Sequence, residues 1–146
     1  MDYRKLHLLI QYARDYSHGK IREKGFTDTE HLICSYVYVH DDCSQEDLAR
    51  GIRMDKTTVG KALDSLEHKG FLLREPSKAD RRKNRLHLTE AGKESISGIL
   101  DINESWVKRV LSVLEPEERA QLGAYMERVL GAAEAIYENR EDKNHA

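Results

Sequence analysis

The chain has 146 residues, 39% of them hydrophobic, and a formal net charge of -2, which is enough for one domain with a real core. No run approaches the ~18 apolar residues of a membrane span, and charges interrupt the N-terminal "MDYRKLHLLIQYARDY" every few positions. Neither a transmembrane segment nor a secretory leader is therefore expected, and the protein is expected in the cytoplasm. Cys34 and Cys43 stand in no metal-ligand spacing, which argues against a disulfide scaffold and for two reduced thiols.

From Tyr3 to Ile21, Leu6, Leu9, Ile10, Ala13 and Tyr16 recur at intervals of three and four, the helical period, with Gly19 and Gly25 marking a fraying end. Thr27 followed by Glu30 is the signature of a capping box and opens a second helix to about His40. Asp41 and Asp42 break it. Ser44 caps a short third helix that turns Leu48 and Ala49 inward, with Gly51 supplying the turn. Asp55 caps a fourth helix whose apolar stripe is Val59, Ala62, Leu63 and Leu66 and whose stop is Gly70. Its other face is Lys56, Thr57, Thr58, Gly60, Lys61 and Asp64.

"FLLRE" and "RLHLT" alternate in the manner of two short strands, with Leu86 and Leu88 to one side and Arg85 and His87 to the other. Thr89 is placed to cap a long helix carrying Ile96, Ile99, Leu100, Trp106, Val107 and Val110. Pro116 suits the first turn of a last helix through Tyr137, and the tail "ENREDKNHA" is expected to fray. No internal repeat, low-complexity run or linker divides the chain. This order predicts a mainly α fold with a small β-hairpin wing, a winged helix-turn-helix inside a helical frame.

Charge is distributed unevenly along that order. From Arg50 to Lys93 there are 12 Lys or Arg against 6 Asp or Glu, and the rest of the chain carries 12 against 20. A basic segment in an otherwise acidic chain predicts one surface that meets a polyanion. In a helix-turn-helix the first helix braces the second, which lays a polar face in the major groove, where base edges are distinguishable. Thr57, Thr58 and Lys61 are the candidate groove-facing residues. Lys78, Arg81, Arg82 and Lys83 form a cationic hairpin tip suited to a narrow, negative minor groove. Asp80, two positions before Arg82, is placed to hold its guanidinium by charge-assisted hydrogen bonds.

The segment "DKTTVGKALDSLEHKGFLLREPSKADRRKNRLHLTEAG" resembles the multiple antibiotic resistance regulator (MarR) family of winged-helix repressors. Asp55 to Val59 match its recognition-helix start, and Leu66 to Gly70 its end. Asp80, Arg82, Leu86, Leu88, Thr89 and Gly92 match the wing signature D-x-R-x-x-x-[LVI]-x-L-T-x-x-G. The resemblance implies a DNA-binding regulator in which residues 1–22 and 93–140 form dimerisation helices and 28–92 the winged helix-turn-helix. It also implies a homodimer on a pseudo-palindromic double-stranded operator, released by a small aromatic or anionic effector or by thiol oxidation, with Arg82 in the minor groove. The effector cavity implied between the first, second and fifth helices makes His7, Tyr36 and Tyr38 candidate lining residues. One departure stands out, since Gly60-Lys61 replaces the Ser-Arg common in the family.

Other readings are weaker. Catalysis by Cys34 or Cys43 with His31 or His40 lacks an accompanying oxyanion or phosphate loop, so no enzyme is expected. A metal site of Glu30, Cys34 and His40 lacks the histidine-rich segment of zinc-sensing relatives, so no metal or cofactor is expected. Thiol-based redox sensing is the stronger alternative, but the first helix has no cysteine. A winged helix that binds protein fits poorly with the basic segment.

Overall fold

The computed structural model describes residues 2–77 and 84–144, with the side chains of the last helix described to Ile136. The wing residues Lys78, Asp80, Arg81, Arg82 and Lys83 lie outside the described residues. The chain divides into two compact units, one running to Trp106 and the other from Val107.

In the first unit, α1 (Tyr3–Glu23) is capped by Asp2, whose carboxylate accepts from the Arg4 amide. It passes straight through Gly19, which does not fray it. The actual stop is Gly25, in the left-handed region at φ 84, where a side chain is disfavoured. Phe26 follows, buried and 4.8 Å from the ring of Phe71. α2 (Asp28–Val39) opens on the expected capping box, in which Thr27 accepts from the Glu30 amide and Glu30 from the Thr27 amide. It buries Ile33, Cys34 and Val37 and ends in a turn where Asp42 takes φ 62.

A two-residue strand that the sequence pattern does not reveal, β1 (Cys43–Ser44), comes next. Ser44 and Asp47 form a second capping box at the start of α3 (Gln45–Gly51). The turn after α3 is made by Arg53, at φ 53, rather than by Gly51. Gly51 instead faces the end of the Tyr36 ring, where a Cβ would stand 2.2 Å from Cε2 unless the ring moved. α4 (Lys56–His68) is capped by Asp55 and stopped at Gly70, φ 74.

β2 (Leu72–Pro76) and β3 (Asn84–Leu88) then form the antiparallel pair, with Leu72 opposite Leu88 and Arg74 opposite Leu86. β1 adds to the outer edge of β3, with Cys43 opposite Leu86, so the sheet is three-stranded in the order β1-β3-β2. The inward faces of the elements meet in one cluster: Ile33, Leu48, Val59, Leu63, Leu66, Leu72, Leu86, Ile96 and Ile99 are all fully buried. α5 (Glu90–Val110) contributes the last two of these.

Hydrogen bonds and ion pairs fix α4 within this core. Glu30 is 2% exposed, yet its carboxylate has several donors. The Ser65 hydroxyl donates to it at 2.6 Å, the Lys69 ammonium reaches both oxygens at 2.9 and 2.7 Å, and the Thr27 amide donates at 2.7 Å. Lys69 also donates to the Gly25 carbonyl. The start of α2 and the end of α4 are thus joined through one buried carboxylate.

In the second unit, a single 3-10 turn (Leu111–Val113) precedes α6 (Pro116–Asn144). α6 runs well past Tyr137, through most of the tail expected to fray. Residues 138–144 contain no Gly or Pro and are rich in Glu, Arg and Lys, which favour helix.

A candidate nucleic-acid interface

The exposed face of α4 presents the three residues singled out from the sequence. Thr57, Thr58 and Lys61 are all solvent-facing, opposite the buried stripe of Val59, Ala62, Leu63 and Leu66. Thr58 is partly committed, since its hydroxyl donates to Asp55 Oδ2 at 2.6 Å while its amide donates to Oδ1 at 2.8 Å. The Thr58 side chain therefore secures the helix start, with an acceptor lone pair and a methyl group left over. Those hydrogen bonds, the Thr58 hydroxyl first, hold the Asp55 carboxyl below its ordinary range. Thr57 and Lys61 carry no such commitment among the described residues.

Asp64 belongs to a different assembly from the one its position suggests. Arg74 on β2 donates through Nε to Glu67 at 2.8 Å and through Nη2 to Asp64 and Glu67. The backbone amide of Arg74 also donates to Glu67 at 3.2 Å. The guanidinium thus ties the first wing strand to the side of α4. On β3, His87 stands between the two carboxylates of the α2–β1 turn, 3.1 Å from Asp41 and 3.3 Å from Asp42. Arg85 approaches Asp42 at 3.7 Å. Both wing strands are therefore anchored on either side of the segment that carries Lys78 to Lys83.

Gly60 sits half-buried in the middle of this face. It is not at positive φ, and a Cβ built there would meet nothing closer than Gln45 Nε2 at 3.9 Å, an ordinary contact. Glycine in a helix interior costs about 0.5–1 kcal/mol relative to alanine, and neither the backbone nor the packing of this chain calls for it. Gln45, on the first turn of α3, has no sequence signal of its own and was not among the expected site residues. Arg74 was likewise missed, because its two partners lie seven and ten residues away across a turn.

The expected effector residues are dispersed. His7 is exposed on α1 and stacks on Tyr3 at 6.2 Å, Tyr36 stacks on His40 at 4.2 Å, and Tyr38 is exposed. A cavity of about 380 Å³ does lie between α1 and α2, but Arg14, Ser17, His18, Ile21, Asp28, Thr29, His31, Leu32 and Met54 line it. None of His7, Tyr36 or Tyr38 is among them. Asp28 is shared there by His18, 3.2 Å away, and Arg14, 3.9 Å away. Burial pushes His31 below its ordinary range, with Asp28 opposing that shift. The signal available in the sequence was the spacing of Arg14 and His18, which places both on one side of α1.

Neither cysteine occupies a setting that activates thiols. Cys34 is fully buried, and burial together with the Glu30 carboxylate pushes its pKa up to about 12. Cys43 is also raised, mainly by burial. At pH 8 only about one Cys34 in 10⁴ is then ionised, and the thiolate is the reactive form. Iodoacetamide added to the native protein at pH 8 is expected to leave Cys34 unmodified over hours, with labelling complete in guanidinium. Rapid native labelling of Cys34, read by peptide mass spectrometry, contradicts this environment. The thiol-switch alternative gains no support from either site.

A family model described as the MarR family matches residues 26–83, the span from Phe26 to the wing. The HTH-type transcriptional regulator YkoM of Bacillus subtilis is 28% identical over 120 residues, covering 82% of this chain and 78% of its own. HTH-type regulator BilQ of Clostridium symbiosum is 29% identical over 100 residues, covering 68% and 69%. Among solved structures, a MarR transcriptional regulator from Methanosarcina mazei superposes with a TM-score of 0.82 at 25% identity, covering 91% of this chain and 96% of the other.

Proposed function

We propose that the chain is a DNA-binding transcriptional regulator of the MarR family, which the family-model match, the relatives and the fold support, and that it acts as a homodimeric repressor of an inverted-repeat operator, relieved by a small-molecule effector. The observation that carries the reading is the geometry of α4. Its capped N-terminus presents Thr57 and Lys61 to solvent while four apolar residues anchor its back to the core. That is the arrangement a helix needs to enter a major groove without unfolding its own domain. Arg82, with Asp80 as its orienting carboxylate, is assigned to the adjacent minor groove, and Lys78, Arg81 and Lys83 to phosphates.

Dimerisation is supported by the apolar surface that each unit leaves uncovered. On α1, Leu8, Leu9, Ile10, Tyr12 and Tyr16 are each 41–58% exposed. On α6, Tyr125, Met126, Val129, Leu130 and Ile136 are exposed as well. Two copies place two α4 helices on one DNA face, so half-site centres stand about one helical turn apart, roughly 34–36 Å. The effector is assigned to the α1–α2 cavity, whose volume suits a compact molecule. Ile21, Leu32 and Met54 favour an aromatic body, and Arg14 and His18 offer donors to an anionic group.

Anisotropy titrations of operator DNA at several salt concentrations test the reading. Arg82→Ala is expected to weaken binding across related operators and to lower the salt slope by about one unit, since minor-groove readout is degenerate and largely electrostatic. Lys61→Ala is expected to change preference among operators, by about 1–3 kcal/mol for a direct base contact. Binding that is insensitive to both substitutions, or a strictly monomeric protein in light scattering, contradicts the proposal. Aromatic acids added to the preformed complex are expected to release DNA, and to lose that effect in Arg14→Ala.

A further inference from the structure

We propose that Gln45 is a base-reading residue of this regulator, and that Gly60 is the gap through which its side-chain amide reaches the groove. The inference rests on the assignment of α4 to the major groove. The Gln45 side chain lies beside α4, with Nε2 only 3.9 Å from the point a Gly60 Cβ would occupy. Gly60 follows Thr57 by three positions and precedes Lys61 by one, so the amide lies beside the face that carries both.

Among the described residues no hydrogen-bond partner holds that amide, and it is not sealed from water. Several neighbouring polar groups of α3 and α4 are committed, Ser44 and Asp47 to each other, Thr58 to Asp55, and Asp64 to Arg74, whereas the Gln45 amide stands with Thr57 and Lys61 among those that are not. Gln45 is therefore a half-buried polar side chain whose amide has no hydrogen-bond partner among the described residues and lies against a glycine. A planar amide carries one acceptor and two donors, the complement of adenine N6 and N7 in the major groove. The same view accounts for the absence of a long side chain at position 60, which would occupy the space beside Gln45 Nε2.

Selection from randomised duplexes with the full-length protein tests this. The wild type is expected to select a defined half-site containing an adenine that Gln45→Ala no longer requires, with discrimination at that base pair falling between about fivefold and a hundredfold. Gly60→Leu is expected to relax the same position with Gln45 intact, while Gly60→Ala, whose Cβ has room, keeps the wild-type preference. A uniform loss in Gln45→Ala with the salt slope lowered by one unit makes it a phosphate contact and overturns the proposal. So does Gly60→Ala abolishing binding while Gln45→Ala selects the wild-type site, because the glycine then serves a direct backbone approach. If Lys61→Ala shifts the selected site and Gln45→Ala does not, this inference alone fails. If neither shifts it, the assignment of α4 fails with it. Thermal melts of each variant confirm that the folded protein is being compared.

Discussion

Glu30→Ala is expected to lower the unfolding free energy by about 3–5 kcal/mol, the range for removing one partner from a buried ion pair. The cost is not the lost attraction alone. Lys69 would keep its charge in a position built around a carboxylate, and Ser65 and the Thr27 amide would lose their acceptor. Glu30→Gln retains an acceptor oxygen and should cost less. The two variants also separate by pH. Burial alone raises the Glu30 carboxyl, but donation by Lys69, Ser65 and the Thr27 amide outweighs it and holds the group below the ordinary 4.5. A carboxyl lowered in the folded state stabilises above its unfolded value, and that contribution is lost as pH falls from about 4.5 through the folded value. Urea melts between pH 3 and 6 should show this loss in the wild type and a flatter profile in Glu30→Gln. Equal slopes in the two proteins would contradict the pairing.

Gly92→Ala should be the most damaging of three glycine substitutions. A Cβ at Gly92 would stand 2.1 Å from the Phe71 carbonyl oxygen and 3.0 Å from its carbon, so backbone must move against backbone. Overpacking of this kind typically costs 1–3 kcal/mol, sometimes more. Thr89 holds the site closed, donating to the Gly70 carbonyl at 2.7 Å and accepting from the Gly92 amide at 3.0 Å. The T-x-x-G of the wing signature is thereby a packing requirement where α5 starts against Phe71. Gly51→Ala meets only the far end of the Tyr36 ring, which can swing away, so a smaller loss is expected. Gly60→Ala should gain about 0.5–1 kcal/mol from helix propensity. Chemical denaturation of the three variants checks the order, and a stable Gly92→Ala protein would refute the argument.

The features that sequence reading recovers are those decided within three or four residues. Thr27 with Glu30, Ser44 and Asp55 announce helix starts because the capping bond spans three positions, and Gly70 announces a stop because the left-handed conformation is local. What it misses is decided across the chain. β1 is only two residues long and exists because Leu86 and Arg85 lie opposite it. Gly51 reads as a turn glycine, yet its neighbour in space is Tyr36, fifteen positions earlier, and Arg53 takes the positive φ. In the same way the cavity that the resemblance implies made His7, Tyr36 and Tyr38 candidate lining residues, whereas the packing of α1 against α2 places Arg14, His18 and His31 around the cavity described. The family resemblance supplied the architecture correctly.

The Arg74 clamp bears on how an operator can vary. With β2 bonded to Glu67 and Asp64 on the flank of α4, the helix and the wing strand are two prongs of one stiff fork. A fork of fixed gauge tolerates substitution beneath each prong far better than a change in the distance between them. Each base pair inserted between the contacted grooves moves the second contact by about 3.4 Å along the duplex and about 35° around it. On the proposed reading, the sites this regulator occupies in a genome should therefore differ in letters but keep the same ruler within every half-site.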